Sequence, residues 1–191
     1  MTDAGDLAVS SAAALADQRG LGALIDDKRV IYVRDTSPES ESRYRVRFYL
    51  DPNSLRMSST PLVIFYGYSG ASTQVLRVEL RYSASSFQSR AGMRTDGSAW
   101  TYIPWTNISD ASHCLEFDWR AATASGANNG ELAFWIDGVQ IGKVTGIDND
   151  KRRIDQVNLG VLAGIETATR GTLYFDAFES RRQSYIGPVV P

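Results

Sequence analysis

Apolar and polar positions alternate with period two along most of the chain, the spacing of half-buried β-strands. In "YRVRFYL" (44–50) Tyr44, Val46, Phe48 and Leu50 share one face, and Arg45, Arg47 and Tyr49 the other. "QVLRVELRY" (74–82) sets Leu76, Val78, Leu80 and Tyr82 against Arg77, Glu79 and Arg81. "CLEFDWRA" sets Leu115, Phe117 and Trp119 against Glu116, Asp118 and Arg120, and "ELAFWIDG" sets Leu132, Phe134 and Ile136 against Ala133, Trp135 and Asp137. "GTLYFDAFESRR" fits two registers, with either Leu173, Phe175 and Ala177 or Tyr174, Asp176 and Phe178 inward.

Turn sequences separate these runs, among them "DPNS", "TDGS" and "SGANNG", and Asp137-Gly138 is a strong signal for a two-residue hairpin. The alanine-rich "SSAAALADQ" (10–18) favours helix by composition, but its flanks "LAVS" and "LGALID" read as strands. No repeat or linker divides the chain. The pattern predicts an all-β protein over residues 1–191, a single antiparallel β-sandwich of about twelve strands in two sheets.

With 191 residues, a net charge of −2 and a pI near 5.4, the chain suits one soluble domain and not a nucleic-acid surface, which is normally basic. No apolar run approaches the roughly 18 residues that cross a bilayer, so no membrane insertion is expected. "MTDAGDLAVSSAAALADQRG" has acids ahead of its apolar stretch and does not read as a signal peptide. Cys114 is the single cysteine and is expected to be buried, and a lone His113 gives no zinc cluster. A Ser-His-Asp constellation would have to use His113.

Glu116 and Asp118 stand two apart on one strand face, as in the paired carboxylates of sugar-cleaving enzymes. Arginines alternate with acids on three such faces, so a solvated charge ladder between neighbouring strands explains the pattern without chemistry. "GIDNDKRRID" (146–155) is oxygen-rich but lacks the glycine and closing glutamate of a calcium loop, and reads as a solvated turn. The aromatics are the better candidates for binding: Trp100, Tyr102 and Trp105 in "SAWTYIPWTNIS", and Trp135 on the outward class of its strand. Pro104 disfavours a central-strand placement beside Trp105. Arg45, Arg47, Arg77 and Glu79 would be polar neighbours of Trp135 if their strands share its sheet.

The stretch "LEFDWRA…GELAFWIDGVQIGKVTGIDNDKRRIDQVNLG…GTLYFDAFESRRQSYIG" resembles the concanavalin A-like, laminin-G-like jelly-roll modules of bacterial surface and secreted proteins, most specifically in "WIDG" and "YFDAFESRR". The likeness runs from Gly5 to Gly187 and implies twelve to fourteen strands in two curved sheets, with glycans bound on one face or its rim. Hydrolases of this fold carry E-x-D-x-x-E on one strand. Here Glu116 and Asp118 match, but Ala121 stands at the second glutamate, so no hydrolysis is expected. Related modules hold a structural calcium between the N-terminal segment and an Asp that matches Asp176. This chain lacks their acidic opening, and a buried Asp176 bonded to backbone groups is the other reading.

The sequence thus points to a non-catalytic binding module, carbohydrate-binding or adhesive. Trp100, Tyr102, Trp105 and Trp135 are its ligand residues, and the only cofactor in view is a structural calcium at Asp176. Its partner would be a glycan or surface polysaccharide, at an extracellular, cell or virion surface. The alternative is a structural coat or decoration protein of a virion or filament, partnered by other subunits. The absence of a signal peptide, the start methionine directly on the domain and the short tail "IGPVVP" suit that alternative.

Overall fold

A computed structural model describes residues 5–189; residues 1–4 and the last two, Val190 and Pro191, which the sequence reading placed in the domain, lie outside the described residues. Among the described residues, fourteen strands form two antiparallel sheets. The first sheet contains β1 (Leu7–Ser10), β2 (Gly20–Ile25), β14 (Gly171–Arg181), β4 (Arg43–Asp51), β10 (His113–Arg120), β11 (Gly130–Ile136) and β12 (Val139–Ile147), in that spatial order. The second contains β3 (Ile31–Asp35), β13 (Gln156–Ala163), β5 (Leu62–Ser69), β6 (Thr73–Ser83), β7 (Ser86–Arg94) and β8 (Trp100–Tyr102), with β9 (Thr106–Ile108) also pairing β7.

The inward faces are those the alternation predicts, except that Tyr82, grouped with Leu76, Val78 and Leu80, is 49% exposed near the end of β6. Tyr44, Val46, Phe48 and Leu50 are fully buried, as are Leu76, Val78 and Leu80 across the core. Phe65 of the second sheet meets Phe48 and Phe117 of the first, with ring centroids 6.0 and 4.8 Å away, and Phe175 packs edge-on against Phe48. Each such ring contributes about 1.5–3 kcal/mol by leaving water. Asp137 and Gly138 have φ of 51° and 79°, the paired positive values of a type I′ turn, so the expected hairpin joins β11 to β12.

Three features differ from the sequence reading. The strand number, about twelve by the pattern alone, is fourteen, within the range the resemblance implies; β8 and β9 are only three residues each, too short to show a period. The alanine run forms no helix: it folds back on β2, with Ala13 buried and its carbonyl packed where a Cβ on Gly20 would sit. In β14, Leu173 and Phe175 face inward, but a bulge at Ala177 (φ 48°) shifts the register between Asp176 and Glu179, so neither simple alternation holds throughout.

Candidate functional site

The outer face of the second sheet gathers three of the four aromatic candidates. β6 presents Arg77, Glu79 and Arg81; β7, paired beside it, presents Gln88, Arg90 and Gly92 opposite them. Tyr102 pairs with Gly92 across β7 and β8, and its ring lies where a Cβ on Gly92 would be, 2.6 Å from that position. A glycine is required there because the ring crosses β7 to reach the arginines.

The side chains then alternate ring and cation in one ladder: Trp100, Arg77, Tyr102, Arg90, Trp105, Arg81. The Arg77 guanidinium carbon is 4.3 Å from the Trp100 centroid and 4.9 Å from Tyr102; that of Arg90 is 3.8 Å from Tyr102 and 4.3 Å from Trp105; that of Arg81 is 4.2 Å from Trp105. Such contacts are each worth about 0.5–2 kcal/mol, more as they lose water. Glu79, itself buried, ties two rungs together, 3.1 Å from Arg77 and 2.5 Å from Arg90. Tyr66 and Tyr68 extend the face across β5, and Arg34 on β3 donates to Asn158 of β13 at 3.0 Å. Pro104 lies outside any strand and all three ladder rings are half-buried.

Trp135 is elsewhere, on the outer face of the first sheet. Arg45 and Arg47 share that sheet, as the sequence reading allowed, but Arg77 and Glu79 do not; they belong to the ladder on the opposite side of the sandwich. The expectation that the Glu116 face is solvated is also corrected. The C-terminal segment after β14 crosses this face: Ile186 and Gly187 donate their amides to the two oxygens of Glu116 at 3.1 and 2.8 Å, and Val189 donates to the Tyr49 hydroxyl at 2.9 Å. Tyr185 lies 6.0 Å from Trp135, centroid to centroid, and both rings contact the Arg45 guanidinium. Glu116 is 1% exposed and its Oε1 is 2.8 Å from Arg45 Nε. The charge ladder itself is present, with Arg43–Asp118 at 2.6 Å and Arg47–Glu179 at 2.7 Å, but it is largely beneath cover.

Asp176 is engaged by backbone. Its Oδ2 accepts from Leu15 and Ala16 at 2.8 Å and Asp17 at 3.4 Å, and Oδ1 accepts from Ala177 at 2.7 Å. Burial pushes this carboxyl up, but the four amides together hold it below the ordinary range. Amide protons and a cation compete for the same lone pairs, so these residues do not fit a calcium; Asp176 instead anchors the alanine-rich loop. In the 146–155 turn Asn149 is fully buried and clasps Ala122 N and Arg120 O. Asp148 and Asp150 approach Asp96, whose charge is met by Arg152 at 3.3 Å.

A Ser-His-Asp grouping does form at His113, the one residue the sequence left for it, with partners the sequence did not indicate. His113 Nδ1 is 2.7 Å from Asp137 Oδ2 and its Nε2 is 2.8 Å from Ser109 Oγ. The Ser109 amide also donates to Nε2 at 3.1 Å, so the lone pair that a base would use is already engaged within the four-residue turn leading to β10. Asp137 Oδ1 meanwhile accepts from Cys114 N at 2.8 Å. The group clamps a turn to a hairpin.

Fold and face together define a jelly-roll β-sandwich with one sheet open and the other strapped. No family model matches the sequence, and no curated protein matches it. Solved structures do: the receptor-binding domain of botulinum neurotoxin type G (TM-score 0.62, 7% identity, 94% of this chain and 42% of that one) and the alginate lyase vAL-1 from a Chlorella virus (0.59, 11%, 93% and 89%). The globular domain of T. cruzi calreticulin is similar as well (0.61, 13%, 94% and 80%). The chain therefore spans less than half of the toxin domain it matches. At such identities the likeness is one of fold.

Proposed function

We propose that the chain is a non-catalytic carbohydrate-binding module of the concanavalin A-like kind, one domain over residues 1–191, acting at an extracellular, cell or virion surface. The observation that carries this reading is the ladder: Trp100, Tyr102 and Trp105, half-buried, with polar edges and guanidinium groups interleaved at 3.8 to 4.9 Å. The ring faces are shared with the guanidinium groups, so a sugar would lie along the half-exposed ring edges, its carbons on that apolar strip and its oxygens on the pre-positioned arginine donors. Botulinum and mosquitocidal proteins contribute similar folds whose names are those of binding domains.

Two features support the non-catalytic part. Glu116, the carboxylate that matches a hydrolase strand, is sealed by the tail and cannot touch a glycosidic bond. Ser109 faces a histidine nitrogen already bonded to an amide.

A glycan array followed by calorimetry tests the reading. Trp105→Ala should weaken binding at least tenfold, about 1.4 kcal/mol, with the fold intact. Gly92→Ala, which displaces Tyr102, should also weaken it, whereas Trp135→Ala on the strapped face should leave affinity unchanged. A silent array, with the protein recovered as a repeating unit of a particle, would establish the coat-protein reading instead.

A further inference from the structure

The two sheets differ in charge balance. The strands of the first sheet hold six basic residues (Arg43, Arg45, Arg47, Arg120, Lys143, Arg181) and six acids (Asp51, Glu116, Asp118, Glu131, Asp176, Glu179). Those of the second hold five arginines (Arg34, Arg77, Arg81, Arg90, Arg94), no lysine, and two acids, Asp35 and Glu79. A surplus of three positive charges thus sits on one sheet of a chain whose net charge is −2.

The surplus has names. Arg77 and Arg90 share Glu79, but Arg34, Arg81 and Arg94 have no carboxylate partner among the described residues. Neutral groups hold them instead: Arg34 Nε donates to Asn158, Arg81 Nε to Gln88 and Arg94 Nε to the Ser98 carbonyl. A guanidinium fixed by neutral acceptors keeps its charge uncompensated while its remaining N–H groups stay aimed. That is the arrangement which grips a carboxylate or sulfate with two parallel bonds.

The spread of the cations indicates the size of the ligand. From β3 to β7 there are four strand spacings, roughly 19 Å at about 4.8 Å each, more than one sugar ring covers. Cavities of about 230 and 360 Å³ lie off this face, the first bordered by Val9, Asp176 and Phe178, the second by Ser54, Arg56 and Asp110; neither includes a ladder residue.

We infer, on the carbohydrate-binding reading above, that the ligand is an extended anionic polysaccharide laid across the outer face of the second sheet. Its acid groups are held by Arg34, Arg81 and Arg94 and its sugar rings pass over the Trp100–Trp105 ladder. The face is polar enough to stay wet, so the attraction is felt through water and is sensitive to screening.

Calorimetry or affinity electrophoresis with a polyuronate, with dextran sulfate and with neutral dextran and laminarin tests this. Binding to the polyuronate or the sulfated polymer is expected, with no measurable binding to the neutral ones, and which anionic polymer binds more tightly identifies the acid group. Raising salt from about 50 to about 500 mM should weaken binding at least tenfold. Arg94→Gln should weaken it about tenfold at unchanged melting temperature; Arg81→Gln should weaken it as much and also lower the melting temperature modestly, because Arg81 stacks on Trp105; Lys28→Gln, in an exposed loop, should do neither. Tight, salt-independent binding of a neutral glycan would overturn the charge inference and leave the carbohydrate reading standing. Silence across a broad glycan screen would overturn both. A single-stranded oligonucleotide binding more tightly than either anionic polymer would overturn the inference in favour of a nucleic-acid surface.

Discussion

The Gly187 amide donates a 2.8 Å hydrogen bond to Glu116 Oε2, joining positions 71 residues apart in sequence. With the Ile186 amide on the other oxygen and Arg45 alongside, the buried carboxylate has its charge met on three sides. Glu116→Gln should therefore cost about 3 kcal/mol, because Arg45 loses its counter-ion under cover and one tail amide then faces an NH₂ group. Chemical denaturation measures it. A loss below 1 kcal/mol would show that the tail does not shield this face in solution.

Cys114 lies on the same face, and burial pushes its thiol up to about 11. Ellman's reagent at pH 8 should react with it very slowly in the folded protein and fast in denaturant. A variant truncated before Tyr185 should restore reactivity without unfolding, since the tail that covers Tyr49 and Glu116 also covers this strand. Equal rates with and without the tail would overturn that.

Asp176 predicts a pH dependence. Its folded value lies below the unfolded one of about 3.9, so its contribution is fully present above that pH and disappears as pH falls towards the depressed folded value. At neutral pH Asp176→Asn should cost about 2 kcal/mol through lost amide bonds to a charge. The gap between the two proteins should narrow below pH 4. A gap that is constant with pH would mean the carboxylate is not what holds the loop.

Gly138→Val should cost at least 1–2 kcal/mol. Its φ of 79° strains a β-branched residue, and the new side chain would meet Pro188 of the tail, 3.4 Å from the Cβ position. An unchanged melting midpoint would contradict the turn.

What the sequence revealed and what it hid follow from range. Alternation within β4, β6, β10 and β11 is local, so the inward residues and the outward Trp135 were legible, and so was the Asp137-Gly138 turn. The ladder depends on which strand lies beside which. Arg90 and Gly92 sit in "SFQSRAGMR", whose core-facing Ser89 and Ala91 blur the period, and nothing local says that Tyr102 will lie across Gly92. The cover over Glu116 was hidden for a related reason: "SYIGPVV" has no strand or helix period, and it docks through backbone amides that any sequence possesses. The Ala177 bulge defeated both registers offered for β14 because a left-handed alanine carries no sequence signal.

β14 separates β2 from β4, and β13 separates β3 from β5. Early strands of both sheets thus wait for the two latest ones before they gain their inner neighbours. During synthesis, neither sheet can close until nearly the whole chain has emerged, and β1–β2 have only each other. Such long-range closure places folding on the slow, millisecond-to-second side for domains of this type. It also leaves the free edges of β2, β4, β3 and β5 open to other chains in the interval. The protein's exposure to aggregation is therefore set by how quickly residues 156–181 arrive, more than by how stable the finished sandwich is.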